Sequence, residues 1–303
     1  MSFEGVTTLV LGASGFIGRH VAAALIERGA HSVISGRDPH ALAGMPAMER
    51  IPCDVISANE VTDLIDRVQP AVTFNLAGYG VDPAERDPAI AHRVNTELPA
   101  QLAQRLAAVP RARLVHVGSA LEYGTVSGDL SEDTPCAPTT LYGQTKLAGS
   151  IAIREQSERT GLQALTARLF TVYGPGELAG RLLPALIRTA QTQTPLQLTD
   201  GEQQRDFTYV GDVVDGLLRL AKAKAHPGEV INLATGQLET VRRFAERAAR
   251  VIGLDHELLR FGSLPTRAEE MAHDPVAVRR LRELTDWLPA TSIEEGVRKT
   301  IGQ

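Results

Sequence analysis

The chain has 303 residues, 43% of them hydrophobic and 22% charged. That is enough to bury a large core without disulfide staples and too apolar for a disordered chain. No apolar run approaches the ~18 residues of a membrane span. The 36 acidic and 31 basic residues are scattered and give a net charge of −5, which argues against nucleic acid or membrane as a partner and for a small molecule. Cys53 and Cys136 have no CxxC or Cys/His spacing around them, so no metal is expected. The start of the chain does not resemble a targeting segment, so the cytoplasm is the expected compartment.

In chain order, β-rich runs at Thr7 to Leu11, Ser32 to Ser35, Arg50 to Cys53, Ala71 to Asn75, Arg113 to Val117 and Gln163 to Leu169 alternate with amphipathic stretches. The clearest helical ones are Phe16 to Arg28, Glu60 to Val68, Pro88 to Ala107 and Tyr142 to Thr160. Such alternation predicts a parallel sheet covered on both faces, an α/β Rossmann-type doubly wound fold. After Phe170 the pattern loosens into a Gly/Pro loop, Tyr173 to Gly176, a helix at Leu182 to Ala190 and a polar stretch, Thr199 to Asp206. Helices at Val213 to Ala223, Val241 to Val251, Pro275 to Leu284 and Ile293 to Thr300 follow, with Glu229 to Leu233 a strand returning to the sheet. The expected division is a Rossmann domain over 1–172, rejoined by about 207–236, and a smaller, mainly substrate-binding region over 173–303.

The first strand runs into Gly12-Ala-Ser-Gly-Phe-Ile-Gly18 and then a helix. Glycines there let a pyrophosphate approach the backbone, and the helix N-terminus offers unpaired N–H groups to the anion. Dinucleotide binding is favoured over a ligand-free βα turn because this is the first βα unit of the sheet. At the end of the second strand, where an acid would accept the ribose hydroxyls of NAD, stand Ser35, Gly36 and Arg37. A cation suits a 2′-phosphate, so Arg37, with Ser35 and Arg19 as helpers, points to NADP(H). The other reading of Arg37 is a solvated surface residue, and Asp38 follows at once. Asp54, after the third strand, is either an acceptor for the adenine amino group or a turn aspartate.

Tyr142 and Lys146 are four apart on a helix and share a face. An ammonium beside a phenol is expected to favour phenolate, bringing the group toward proton exchange near neutral pH. With few tyrosines and lysines in the chain, chance is a weak explanation for the pair. Ser119 stands at the carboxyl end of the fifth strand, where open α/β sheets bind ligands. Its hydroxyl could hold a substrate oxygen while the tyrosine handles the proton; otherwise it caps a turn.

Together with Asp54-Val55, Asn75-Leu-Ala-Gly78, Asn95, Tyr123-Gly124, Arg168-Leu-Phe-Thr-Val-Tyr-Gly-Pro175, Arg205-Asp-Phe-Thr-Tyr-Val-Gly-Asp212, Trp287-Leu-Pro289 and Glu294-Glu-Gly296, these motifs make the chain resemble the extended short-chain dehydrogenase/reductases. The likeness is to their nucleotide-sugar epimerase, dehydratase and reductase branch. It implies a catalytic Ser119, Tyr142 and Lys146. It also implies cofactor contacts from Gly12, Ser14, Gly15, Phe16, Ile17, Gly18, Val55, Leu76, Ala77, Gly78 and Asn95, and a homodimer through a helix bundle built from Pro88 to Ala107 and Tyr142 to Thr160.

Members that eliminate water or decarboxylate usually carry an acid where this chain has Leu121; Glu122 is one position late and should point elsewhere. Dehydratase and decarboxylase are therefore disfavoured. Arg37 favours an NADPH-dependent 4-ketoreductase of a nucleotide-linked keto-deoxysugar, with Tyr142 as proton donor, over an epimerase that retains its nicotinamide. Arg205 and Arg267 are candidate diphosphate clamps, or else ordinary ion pairs. By resemblance Glu270 contacts the nucleotide ribose, and Tyr79, Thr125 and Thr171 line the sugar site, Thr171 standing where relatives commonly have Asn.

Overall fold

The computed structural model describes residues 2–82, 84–125, 128, 130–265 and 273–302. Seven strands, β1 (Thr7–Leu11), β2 (His31–Gly36), β3 (Glu49–Pro52), β4 (Val72–Asn75), β5 (Arg113–Ser119), β6 (Gln163–Leu169) and β7 (Glu229–Leu233), form one sheet in the order β3-β2-β1-β4-β5-β6-β7. Every pairing in it is parallel, so this is a doubly wound α/β fold. The order reverses between β1 and β4, and their carboxyl ends open the crevice in which such sheets bind ligands.

Period-two burial explains why the strands read as continuous apolar runs. On β1, Val10 packs with Ile34, Phe74, Val115 and Ile231 into the core on one face, while Leu9 and Leu11 join Val33, Leu114 and Ile153 on the other. Helices α1 (Phe16–Glu27) and α8 (Val210–Leu220) cover the first face; α3 (Ala58–Val68), α5 (Leu98–Leu106) and α6 (Leu141–Thr160) cover the second. Burial on both faces favours apolar strands, and the polar residues they do carry, among them Thr8, Ser32, Thr73, His116 and Thr166, are buried as well.

The Pro88 to Ala107 stretch is not one α-helix: α4 (Pro88–His92) passes through a π-turn at Arg93–Glu97 before α5. The extra residue per turn lets Asn95 face α6, and such bulges often mark functional sites. A short helix absent from the periodicity, α2 (Pro39–Ala43), is nucleated by Asp38, whose carboxylate accepts from the His40 N–H at 2.8 Å. The Pro275 to Leu284 stretch also starts later than its periodicity predicts. Val276 forms a bridge with Leu130, and the helix α10 begins only at Arg279 and ends at Thr285.

A third core lies under α7 (Leu182–Thr192), α9 (Val241–Ile252) and α11 (Ile293–Ile301). Phe244 is its centre: its ring stacks on Phe207 at 4.1 Å and meets Tyr173 edge-on at 5.1 Å. Tyr173 and Phe207 belong to a two-strand ladder, Thr171–Tyr173 with Phe207–Tyr209, so this core anchors the segments that leave and re-enter the sheet. The buried Asp206 ties them further, accepting from the backbone N–H groups of Thr235, Gly236 and Gln237. No helix among the described residues is long and apolar enough to cross a membrane. Phe244→Ala should cost about 3–5 kcal/mol, measured by denaturant unfolding, with amide exchange rising first in α7, α9 and α11 rather than in the sheet.

Candidate functional site

The glycine turn is shaped by contacts that exclude side chains. Gly12 has φ +74° and a Cβ there would lie 2.7 Å from the Ala77 nitrogen, while one on Gly18 would collide with the Gly12 carbonyl oxygen. Gly15 caps α1 without any side-chain hydrogen bond, and no acid stands in the first turn. The amides beginning at Phe16 and Ile17 are thus open to an anion, an arrangement that fits a pyrophosphate. Ser14 lies against Gly36 at the end of β2, where a Cβ would come 3.2 Å from its Oγ. Arg19 is turned back on the turn itself, donating to the Ser14 carbonyl at 3.0 Å.

At the end of β2, Arg37 is exposed, and the acid beside it is engaged as the cap of α2. Ser35 is fully buried next to the Cys53 thiol, so it faces the sheet and cannot help Arg37 hold a phosphate. Asp54 is half-buried and forms a turn, its Oδ1 accepting from the Ile56 N–H at 3.1 Å. Val55 packs on the core.

From Gly12 the path to the catalytic residues is short. Leu76 and Ala77 lie against Gly12, and three residues on a Cβ at Gly80 would sit 3.2 Å from the Tyr142 ring. Gly78 is exposed between them. Asn95 holds this loop: its amide accepts from the Tyr79 N–H at 3.0 Å and donates to the Tyr79 carbonyl at 2.7 Å and to Thr145 Oγ1 at 3.0 Å. With its amide committed and its side chain fully buried, Asn95 fixes the loop that follows Leu76, Ala77 and Gly78 against α6.

Ser119, Tyr142 and Lys146 do converge. Ser119 ends β5, and its Oγ accepts from the Leu121 N–H at 3.2 Å, leaving its proton for the side of the Tyr142 phenol, whose pKa Ser119 pulls down. The Lys146 ammonium, 2% exposed, donates to the Val117 carbonyl at 2.5 Å rather than pointing at the phenol. Burial and the nearby Glu122 carboxylate hold the phenol well above its ordinary pKa, against the opposing pull of Ser119. The expected pull toward phenolate is therefore reversed, because desolvation of the anion wins. Burial also brings Lys146 down to about 8, with Glu122 opposing that fall. His116, buried behind it, is held neutral by burial and by Lys146, and its Nδ1 takes a 3.0 Å hydrogen bond from Asn75.

Three residues that the sequence reading left outside the site belong here. Glu122 is fully buried and ion-paired to Arg168. Arg181, the uncapped N-terminus of α7, exerts its charge on Tyr142. Burial brings Glu177 up to about 7 against the pull of Arg181. The Gly/Pro loop just before Glu177 docks on α1, with the His20 ring 2.7 Å from the Pro175 carbonyl. Its position after that loop was the only sequence signal for Arg181.

Of the substrate candidates, Tyr79 accepts from the Asp87 N–H through its hydroxyl at 3.3 Å, and Thr125 is exposed. Thr171 is half-buried in the ladder to Phe207. Arg205 donates to the Gln204 carbonyl at 2.7 Å, on a two-residue strand paired with Glu239–Thr240. Arg267 and Glu270 lie outside the described residues.

Lys146→Met is expected to stabilise the cofactor-free protein by about 2 kcal/mol at pH 7. A lysine depressed to about 8 costs stability in full below pH 8. Above it the unfolded chain binds more protons than the native one, so stability rises with pH and the gain from Met shrinks toward pH 10. Denaturant unfolding at pH 7 and 9.5 measures both.

A model described as "NAD dependent epimerase/dehydratase family" matches residues 8–234. The chain is 29% identical over 304 residues to dTDP-6-deoxy-L-talose 4-dehydrogenase (NAD(P)(+)) of Kitasatospora kifunensis, covering 96% of this chain and 93% of that one. It is 30% identical over 312 residues to UDP-glucose 4-epimerase of Mycolicibacterium smegmatis, covering 97% of each. Among solved structures, MoeE5 in complex with UDP-glucuronic acid and NAD superposes with a TM-score of 0.85 at 29% identity, covering 97% of each chain.

Proposed function

The chain belongs to the NAD dependent epimerase/dehydratase family, and from that membership we propose an NADPH-dependent reductase of a nucleotide-linked keto-deoxysugar, acting at C4. One observation carries the choice of cofactor, and with it the direction. Asp38, the acid that could have accepted ribose hydroxyls, is spent on the cap of α2, while Arg37 stays exposed at the end of β2. A guanidinium there suits a 2′-phosphate. The K. kifunensis relative, a 4-dehydrogenase of a dTDP-6-deoxysugar working with NAD(P), agrees with the site on the sugar.

A bound reduced nicotinamide supplies the hydride. The chain's own work is at the carbonyl oxygen: Ser119 donates a hydrogen bond to it, and Tyr142 delivers a proton as it becomes an alcohol. The raised pKa of Tyr142 keeps that proton in place until charge develops. Lys146, released from the Val117 carbonyl, would hold the nicotinamide ribose and offset the phenolate left behind. Glu122 points to Arg168 and is not aimed at a sugar carbon, so elimination lacks its acid. Arg181 and Arg205 are assigned to the diphosphate, and a homodimer is proposed through the α5 and α6 faces.

The second reading is a 4-epimerase, the activity that names the M. smegmatis relative, here with a retained nicotinamide. Incubation with NADPH and a panel of nucleotide 4-keto-6-deoxysugars should add two hydrogens to one of them by mass spectrometry. Purified protein carrying stoichiometric nicotinamide with no net NADPH consumption would favour the epimerase. Tyr142→Phe should lower kcat by about 10²–10⁴-fold with NADPH affinity retained. Arg37→Ala should weaken NADPH by about tenfold, ~1.4 kcal/mol, and leave NADH unchanged in fluorescence titrations.

A further inference from the structure

Glu122 is a buried carboxylate that the proposed chemistry does not consume, placed three residues from one catalytic side chain and charged toward two others. Oε1 accepts the Ser119 N–H at 2.8 Å, and Oε2 takes the Arg168 Nε–H at 2.9 Å, with Glu122 0% and Arg168 4% exposed. Room for it comes from Gly118, where a Cβ would stand 2.5 Å from Oε1 and 2.7 Å from Thr166 Cγ2. Arg168 is fixed in turn, its guanidinium over the Tyr123 ring at 4.4 Å and its Nη2 3.2 Å from Cys136 Sγ. A fully buried ion pair is a poor source of net stability, because desolvating both charges offsets their attraction.

We propose that Glu122, seated in the space left by Gly118 and clamped by Arg168, is a positioning residue that fixes Ser119 toward Tyr142 and supplies the negative charge that balances buried Lys146. Ser119 and Glu122 form a reciprocal cap: the carboxylate takes the serine N–H while the serine Oγ receives the Leu121 N–H. The serine is thereby held at both its backbone and its hydroxyl, and only the O–H proton is left to aim at the phenol. The groups facing Glu122 are Arg168, Tyr142, Lys146 and Cys136. Lys146 is faced also by His116, and Tyr142 also by Arg181 and Glu85. His116 is neutral, so Glu122 is the anion that keeps Lys146 charged at neutral pH.

This inference rests on reading Ser119, Tyr142 and Lys146 as the centre, and its test needs no substrate. The protein labelled with [13Cε]lysine carries four lysines, and the resonance missing from Lys146→Met identifies Lys146. In Glu122→Gln its titration midpoint should fall by about one pH unit from near 8; an unmoved midpoint overturns the proposal. Should that variant fail to fold, Glu122→Asp, which withdraws the charge by one methylene, should move the midpoint down by about half as much, and no movement there is equally fatal. With any substrate that turns over, Glu122→Gln should lose about tenfold in kcat with KM nearly unchanged. A rise in KM alone contradicts it. Failure of every keto-sugar to react would sink the proposed function and leave the lysine titration standing.

Discussion

The seating of α6 against β5 and the π-turn governs the rest of the site. That helix carries both Tyr142 and Lys146, and it approaches its neighbours so closely that a Cβ on Gly143 would collide with the Leu121 carbonyl and one on Gly149 with the Asn95 carbonyl. Small residues at these two points let the helix sit at a depth where Lys146 reaches the Val117 carbonyl and the phenol meets Ser119. A helix displaced outward by one methyl group at either contact would move both side chains together. Angular and positional errors of that size are costly when a proton must pass along one hydrogen bond.

Depth has an electrostatic consequence. Lys146 and Tyr142 are shifted in opposite directions, the amine down and the phenol up, and in each case burial is the leading cause. Burial thus favours the neutral form of each, which leaves the tyrosine as an acid and the lysine easily perturbed. The Glu122–Arg168 pair sits behind both. Its carboxylate resists one shift and adds to the other, so the two groups respond jointly to a single neighbouring charge. Among the described residues, the same segment that supplies Ser119 supplies that charge, because the cap closes over only three residues.

How much of this was legible in the sequence follows from which forces act locally. The parallel sheet and its helices could be read because β1 feeds the cores on both faces, β4, β5 and β6 each carry an apolar row into the core, and the amphipathic helices repeat at three and four residues. The Tyr142–Lys146 spacing and the Gly12–Gly18 turn are properties of one helix and one turn, so they too were visible. Hidden were the features that depend on contacts far apart in the chain. The π-turn at Arg93–Glu97 arises where Asn95 clamps Tyr79 and Thr145. Ser35 looked available because it precedes Arg37, yet period two turns it into the core beside Cys53. The sign of the tyrosine's shift was misread for a related reason: i,i+4 spacing reveals a shared face but not depth. The partnership of Glu122 with Arg168 spans 46 residues, beyond any local pattern.

The most direct test is a crystal structure of the protein with NADP+. The Tyr142 hydroxyl should lie within hydrogen-bonding reach of the nicotinamide ribose and beside the ring's reactive carbon. The Lys146 ammonium should have left Val117 for the ribose, and Arg37 should touch the 2′-phosphate. A dinucleotide bound with its nicotinamide remote from Tyr142, or excluded from the Gly12–Gly18 turn altogether, would contradict the account.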